Sequence, residues 1–243
     1  MILIPRRFTY GFVAILTVLL LLLPLTIMGL PNKKSLPNVP LATANARDGF
    51  IQGDRRIYFD NGAWMIEEQT GISILQYTNM CSPSMVVSWP YIALYEYPSK
   101  NYYLLQAESK IVQEKVASCP VSGLRISVKG DVLWWSEMSF KAGFLNQNGK
   151  KYDISCQSPI AGAAISQNGK YVALLMLLTE QRGAYHYELF STKNGKRLNA
   201  TTFSSEVGID CFLEGKVLYL YRNQEVFACL DKRGRFRFFK ENS

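Results

Sequence analysis

The sequence predicts an all-β domain carried behind one membrane-spanning helix. Three observations support this: an uncharged apolar run near the N-terminus, an abundance of aromatic residues after it, and a strand-and-turn pattern that recurs roughly every 40 residues.

Residues 8–30 contain no charged side chain, and the stretch from Val13 to Leu25 is almost wholly aliphatic. A helix that crosses a hydrocarbon layer of roughly 30 Å needs about 20 residues, which this run supplies. Pro24 and Gly29 near its far end are compatible with a membrane helix. A secretory signal has an apolar core of about 7–15 residues followed closely by small residues at the cleavage site. Here the nearest Ala-x-Ala patterns, Ala42-Thr43-Ala44 and Ala44-Asn45-Ala46, lie well downstream, so a retained anchor is expected. Arg6 and Arg7 flank one side and Lys33 and Lys34 the other, so basic residues bias the orientation little by count. The short N-terminal flank favours the inside. The expected organisation is a short cytoplasmic N-terminus (residues 1–7), a transmembrane helix (8–30), a stalk with three prolines (31–46) and an extracytoplasmic domain (47–243). Membrane lipid is the expected partner of the helix.

The domain has the means to build a core. Apolar residues make up 48% of the chain and charged residues 19%, which excludes bulk disorder. With 14 Tyr and 13 Phe, the composition favours strands. The net charge of +8 is concentrated at the membrane run. Setting aside Arg6, Arg7, Lys33 and Lys34 leaves 23 basic against 19 acidic residues, a net of +4, which selects no particular partner. No nucleic-acid partner is expected.

Five short apolar runs recur: Arg56 to Phe59, Ile92 to Tyr95, Val132 to Trp135, Val172 to Leu175 and Val217 to Leu220. Counted from the first β-branched residue of each, the steps are 35, 40, 40 and 45. Behind each comes a second strand-like run and then a turn signal, the turns ending at Gly71, Ser109, Gly149, Gly195 and Gly234. Asn-Gly between apolar runs marks a hairpin, because both residues accept positive φ in a type I′ turn. A further strand candidate follows, such as residues 72–78 or 235–239. Four short strands per unit of about 40 residues is the pattern of a propeller blade. The expected units are 47–81, 82–119, 120–156, 157–202 and 203–243, with the first drawing its innermost strand from residues near Phe50.

The fourth unit is the clearest copy. Ile165-Ser166-Gln167-Asn168-Gly169-Lys170 leads into the apolar strand Tyr171 to Leu174, and Tyr187 to Phe190 and Asn194-Gly195-Lys196 follow. It resembles the repeat of TolB-like and WD40-like β-propellers, in which Ser-Pro-Asp-Gly-Lys leads into an apolar strand. Gln167 and Asn168 replace the usual Pro and Asp, and no Trp-Asp dipeptide is present. The resemblance implies a β-propeller, and the five units imply a small one of about five blades.

Chemistry is less visible. The single His186 lies in a strand with no nucleophile motif beside it, and Gly-x-Ser-x-Gly, Gly-x-Gly-x-x-Gly and the P-loop are absent from the sequence. Glu67, Glu68, Asp54, Asp60, Asp131, Asp153 and Asp210 are scattered, whereas a glycosidase needs two carboxyls across one cleft. No catalytic, metal or cofactor residues are expected, and a zinc site of usual spacing is disfavoured by the lone His and the lack of Cys-x-x-Cys. Of the five cysteines, Cys211 and Cys229 are the disulfide candidates, on strands joined by a hairpin. Cys81, Cys119 and Cys156 fall near unit boundaries and read as small buried residues. Asn199-Ala200-Thr201 fits the glycosylation acceptor pattern and is expected in a polar loop. The run Lys232 to Lys240 alternates basic and aromatic residues, as on an outer strand with a charged solvent face. The expected role is a non-catalytic protein-interaction or scaffold module of a membrane or cell-envelope complex. The alternative is a carbohydrate-binding protein or hydrolase that uses the central pocket.

Overall fold

The computed structural model describes residues 44–180, 183–204, 210–222 and 225–239. The expected transmembrane helix and nearly all of the stalk lie outside these residues. Among the described residues no helix is long and apolar enough to cross a membrane.

The described chain is all β, with 21 strands in five antiparallel sheets. The first blade is β2 (Phe50–Gln52), β3 (Arg55–Asp60), β4 (Ala63–Glu68) and β5 (Gly71–Tyr77). The second is β6 (Ser84–Ser88), β7 (Tyr91–Tyr95), β8 (Asn101–Gln106) and β9 (Ile111–Val116), joined at its inner edge by β1 (Ala44–Asn45). The third is β10 (Gly123–Ile126), β11 (Val132–Ser136), β12 (Lys141–Leu145) and β13 (Lys151–Ser155). The fourth is β14 (Ile160–Ile165), β15 (Tyr171–Leu177), β16 (Ala184–Ser191) and β17 (Arg197–Ser204). The fifth is β18 (Asp210–Glu214), β19 (Val217–Arg222), β20 (Glu225–Leu230) and β21 (Phe236–Phe238). Each blade runs in simple chain order, every strand pairing with the one before it.

The five apolar runs of the sequence are the second strands β3, β7, β11, β15 and β19, and the blades match the expected units closely. Blade 4 runs two residues past its expected end at residue 202. The pairing of β1 with β6, through Ala44 opposite Met85 and Asn45 opposite Ser84, falls within the expected stalk. The folded part therefore starts earlier than residue 47.

The turns differ in kind from the type I′ expectation. At Gly149, Gly169 and Gly195 only the glycine has positive φ, between +68° and +75°. The preceding Asn at 168 and 194 instead accepts the amide of the residue two ahead, and Asn146 accepts the amides of Asn148 and Lys150 on either side of Gly149. These are side-chain-closed turns. Asn61-Gly62, at 49° and 75°, is the pair with both residues in the left-handed region.

Packing takes place between blades. Four hydrophobic clusters join blades 1 and 2, 2 and 3, 3 and 4, and 4 and 5. Each mixes rings and aliphatic side chains from both blades. Phe59 and Trp64 pack on Met85, Ile92 and Leu94; Tyr95 and Tyr102 on Leu124 and Val132. Trp135 and Phe144 pack on Val172 and Leu174, and Tyr185 and Tyr187 on Leu218 and Leu220. Tyr103, Trp134, Phe190 and Phe236 add rings from the later blades. Strand alternation makes this possible, since successive side chains of one strand face opposite neighbours.

Candidate functional site

The inner strands assemble one polar cluster. Strand β14 reads Ile160-Ala161-Gly162-Ala163-Ala164-Ile165, and β10 and β18 lie on either side of it. Its small side chains leave room above it. Arg125 of β10 reaches across to Asp210 of β18, with Nη2 and Oδ2 3.5 Å apart. The Tyr221 hydroxyl donates to the same Oδ2 at 2.7 Å. The Arg125 guanidinium lies 5.4 Å from the Trp135 ring centre, and its Nη1 donates to the Leu124 carbonyl. Arg125 is well covered, at 17% side-chain exposure, whereas Asp210 is 44% exposed, its Oδ1 accepting the Cys211 amide at 2.7 Å. Burial, then the hydrogen bond to Asp210, raises the Tyr221 pKa far above its ordinary value, so the hydroxyl stays a donor. This set can pair with a polar ligand by charge and hydrogen bonds. The neighbouring Cys211 is fully buried and its thiol is pushed far up, which removes it as a nucleophile.

The carboxylates named from the sequence do not meet in the channel. Of them, Asp210 alone lies on an innermost strand. Glu68 is tied to Arg55 at 2.9 Å and to Lys110 of the second blade at 2.7 Å, while Glu67 pairs with Arg56 at 3.7 Å. Asp131 is buried in the turn before β11. His186 sits on β16, away from the inner strands. Its Nδ1 is 3.1 Å from Thr202 Oγ1 and its Nε2 is 3.5 Å from Glu188, which Arg197 also contacts at 2.6 Å. Among the described residues no group of three or more His, Cys, Asp or Glu side chains is placed to hold a metal ion.

A separate cleft of about 250 Å³ opens between blades 2 and 3, walled in part by Tyr91, Gln106, Gln113, Lys115, Lys129 and Gln147. The Gln147 carboxamide donates to the Lys129 carbonyl. Carboxamides and ammonium groups suit a hydroxylated or anionic ligand.

The other candidates settle as follows. All five cysteines are free thiols. Cys211 shares a row with Leu220 and Ala228, whereas Cys229 shares a row with Phe212 and Tyr219. The two thiols therefore face opposite sides of the blade with β19 between them. Two ladder steps of about 4.8 Å exceed the Cα separation of about 7 Å that a disulfide allows, so the expected bond between them does not form. Cys119 is buried and Cys156 partly so, but Cys81 is exposed, unlike the expectation. Asn199 lies in strand β17 and not in a loop. Its carboxamide faces Gly234, where any Cβ would come within 2.8 Å.

The C-terminal run forms β21, and its charges are paired. Arg235 and Arg237 contact Asp231 at 2.8 and 3.6 Å, and the amides of Arg233 and Arg235 also donate to that carboxylate. These partners, the Arg235 amide foremost, lower the Asp231 pKa from its ordinary 3.8 to about 2. The contribution of Asp231 to stability is therefore complete above about pH 4 and is lost as pH falls from there through 2. Asp231→Asn is expected to flatten this part of the acid limb and leave the slope above pH 5 unchanged. Urea midpoints taken in half-unit pH steps measure it; an unchanged acid limb would rule out the carboxylate's role.

Among the described residues, the far face of each end blade carries side chains that are exposed or only partly buried. On the first, Ile51 (67% exposed), Ile72 (58%) and Ile74 (50%) stand on the side away from blade 2, in register with Arg56, Glu67, Tyr58 and Met65. On the fifth, Phe212, Tyr219 and Tyr221 stand on the side away from blade 4. Phe212 and Tyr219 are stacked with centres 5.1 Å apart. Among the described residues no hydrophobic cluster joins blade 5 to blade 1.

Comparison with solved structures finds this architecture elsewhere. Virginiamycin B lyase from Staphylococcus aureus is 13% identical and superposes with a TM-score of 0.51, over 84% of this chain and 73% of the lyase. A catalytically inactive form of that enzyme with quinupristin gives 14% identity, a TM-score of 0.50, and coverage of 85% and 73%. The β-propeller domain of Cps50 (Swd1) from Myceliophteria thermophila is 11% identical over 68% of this chain and 61% of that one, with a TM-score of 0.45. No family profile matches the sequence, and no curated protein matches it by sequence. At these identities the likeness concerns the fold. The chain is a β-propeller protein with five four-stranded blades.

Proposed function

We propose that this chain is a membrane-anchored, extracytoplasmic β-propeller that serves as a non-catalytic interaction or scaffold module of a membrane complex. The uncharged run of residues 8–30 is the proposed single-pass anchor, with residues 31–46 as stalk and the propeller outside the cytoplasm. The observation that carries the interaction role is the face of blade 1. Ile72 and Ile74 on the outer strand β5, and Ile51 on the inner strand β2, are each at least half exposed on one sheet face with Arg56 and Glu67 between them, and exposed apolar side chains rimmed by polar ones mark a protein contact. The half-exposed Asp210 beside Arg125 and Tyr221 favours a second reading, the binding of a carbohydrate or other polar ligand in the channel.

A membrane-impermeant lysine crosslinker, applied to right-side-out vesicles, tests placement and association together. The expected result is capture of the chain in species well above its own 27.6 kDa, and their loss in Ile72→Glu/Ile74→Glu. Modified lysines on a chain that stays at its own mass would overturn the interaction role. Lysines that react only after permeabilisation would overturn the placement.

A further inference from the structure

We propose that the cleft between blades 2 and 3 binds an acidic sugar, a hydroxylated ring that carries one carboxylate or phosphate. The site uses nothing from blade 1 or from the Arg125–Asp210 pair, so the inference stands apart from the interaction role above.

One wall of the cleft is the face that blade 2 turns toward blade 3. On it Tyr91 stands opposite Gln106, Leu104 opposite Gln113, and Tyr102 opposite Lys115. Tyr102 and Leu104 enter the core shared with blade 3. Gln106, Gln113 and Lys115 stand on the same face and line the cleft. The facing wall holds Lys129 and Gly130, in the turn between β10 and β11. The Tyr91 ring rests on Gly130, where any Cβ would come within 2.8 Å of it.

Lys115 and Lys129 thus place one ammonium on each wall, and no carboxylate lines the cleft. Among the described residues neither ammonium is ion-paired, and the carboxamides of Gln106 and Gln113 have no hydrogen-bond partner. Lys151 of the same seam differs: it donates to the Val116 carbonyl at 3.4 Å and lies 5.5 Å from the centre of the Trp134 ring. Gln106 and Lys115 are half-buried, and partly desolvated polar groups favour a ligand that pairs with them. The ammonium groups suit an acid. Each carboxamide both donates and accepts, as ring hydroxyls do. Tyr91 and Leu104 supply an apolar surface for the C–H groups of the ring. The volume of about 250 Å³ falls just below the usual range of about 300–1,000 Å³ for small-molecule sites, which limits the occupant to about one ring.

Calorimetric titration of the full-length chain in detergent micelles tests this, with glucuronic acid, glucose 6-phosphate, glucose and inorganic phosphate as probes. At least one acidic sugar is expected to bind in the millimolar range or tighter, more weakly as salt is raised. The better of the two identifies the acid group. Glucose and inorganic phosphate are each expected to bind more weakly than that sugar. Lys115→Gln and Lys129→Gln are each expected to weaken it about fivefold, the upper end for an exposed ion pair. Lys150→Gln, an exposed lysine outside the cleft, is expected to change nothing. Thermal melts of each variant separate a lost contact from a lost fold. Three results overturn the site: neither acidic sugar binds, the Lys115 and Lys129 variants bind as wild type does, or Lys150→Gln weakens binding as much as they do. Inorganic phosphate or glucose that binds as tightly as the acidic sugar overturns the ligand class.

Discussion

Trp134→Ala is expected to destabilise the propeller by about 3–5 kcal/mol, the range for removal of a large buried aromatic. Trp134 is 1% exposed on β11 and closes the core between blades 2 and 3. Its ring lies 6.1 Å from that of Tyr102, and its indole N–H donates to the Ser118 hydroxyl. Directly across the ladder stands Gly143, where any Cβ would sit 2.5 Å from the indole. The glycine exists at that position because the ring occupies the space over it. Alanine therefore leaves a cavity bounded by backbone, which cannot collapse inward, and this places the expected loss in the upper part of the range. Trp134→Phe, which keeps most of the packing and gives up the hydrogen bond, is expected to lose clearly less. Urea unfolding of the full chain measures both. A loss below about 1 kcal/mol for alanine would show that the blade 2–3 core does not limit stability.

Much of the fold is legible in the sequence because propeller blades repeat their chemistry. The second strands of the three middle blades are covered on both faces, so they read as uninterrupted apolar runs, as at Val132 to Trp135 and Val172 to Leu175. Each turn into the outer strand needs a residue that tolerates positive φ, which makes Gly149, Gly195 and Gly234 visible. The third blade carries a weaker copy of the fourth-blade element: Ile126-Ser127-Val128-Lys129-Gly130-Asp131 precedes β11 as Ile165-Ser166-Gln167-Asn168-Gly169-Lys170 precedes β15. In both, the serine hydroxyl accepts a backbone amide from later in the turn.

What stays hidden depends on distance in space. Two-residue β1 has no periodicity to detect. Arg125 and Asp210 are 85 positions apart in the chain, and only the narrow strand between them brings them together. The Cys211–Cys229 expectation treated strands joined by a hairpin as close enough. It missed the ladder parity that sends the two thiols to opposite faces. The far faces of blades 1 and 5 look in sequence like any other inter-blade face, since a pair of isoleucines does not reveal whether a neighbour follows.

Asp131→Ala is expected to destabilise by about 2–4 kcal/mol, because it strands several donors at once. The carboxylate is 5% exposed. It accepts the Ser127 hydroxyl at 2.7 Å and the Gln147 amide at 2.9 Å, which ties the turn before β11 to the loop before β13. Blade 4 comes in on top of it, with the Val128 amide donating to the Gln167 carbonyl and Gly169 standing over the carboxylate. A Cβ at Gly169 would fall 1.7 Å from Asp131 Oδ2, and Gly169 has φ +69°. Gly169→Ala is therefore destabilising for two separable reasons, collision and backbone strain. The collision with the carboxylate vanishes once Asp131 is alanine, whereas the strain and the 3.1 Å approach to Ser127 Oγ remain. The double variant is expected to be less destabilised than the two losses added together, with a coupling of about 1 kcal/mol or more, as for residues in direct contact. Chemical denaturation of the four proteins closes this cycle. Strict additivity would mean that Asp131 and Gly169 stabilise their turns independently, and that the seam between blades 3 and 4 does not depend on the missing side chain at residue 169.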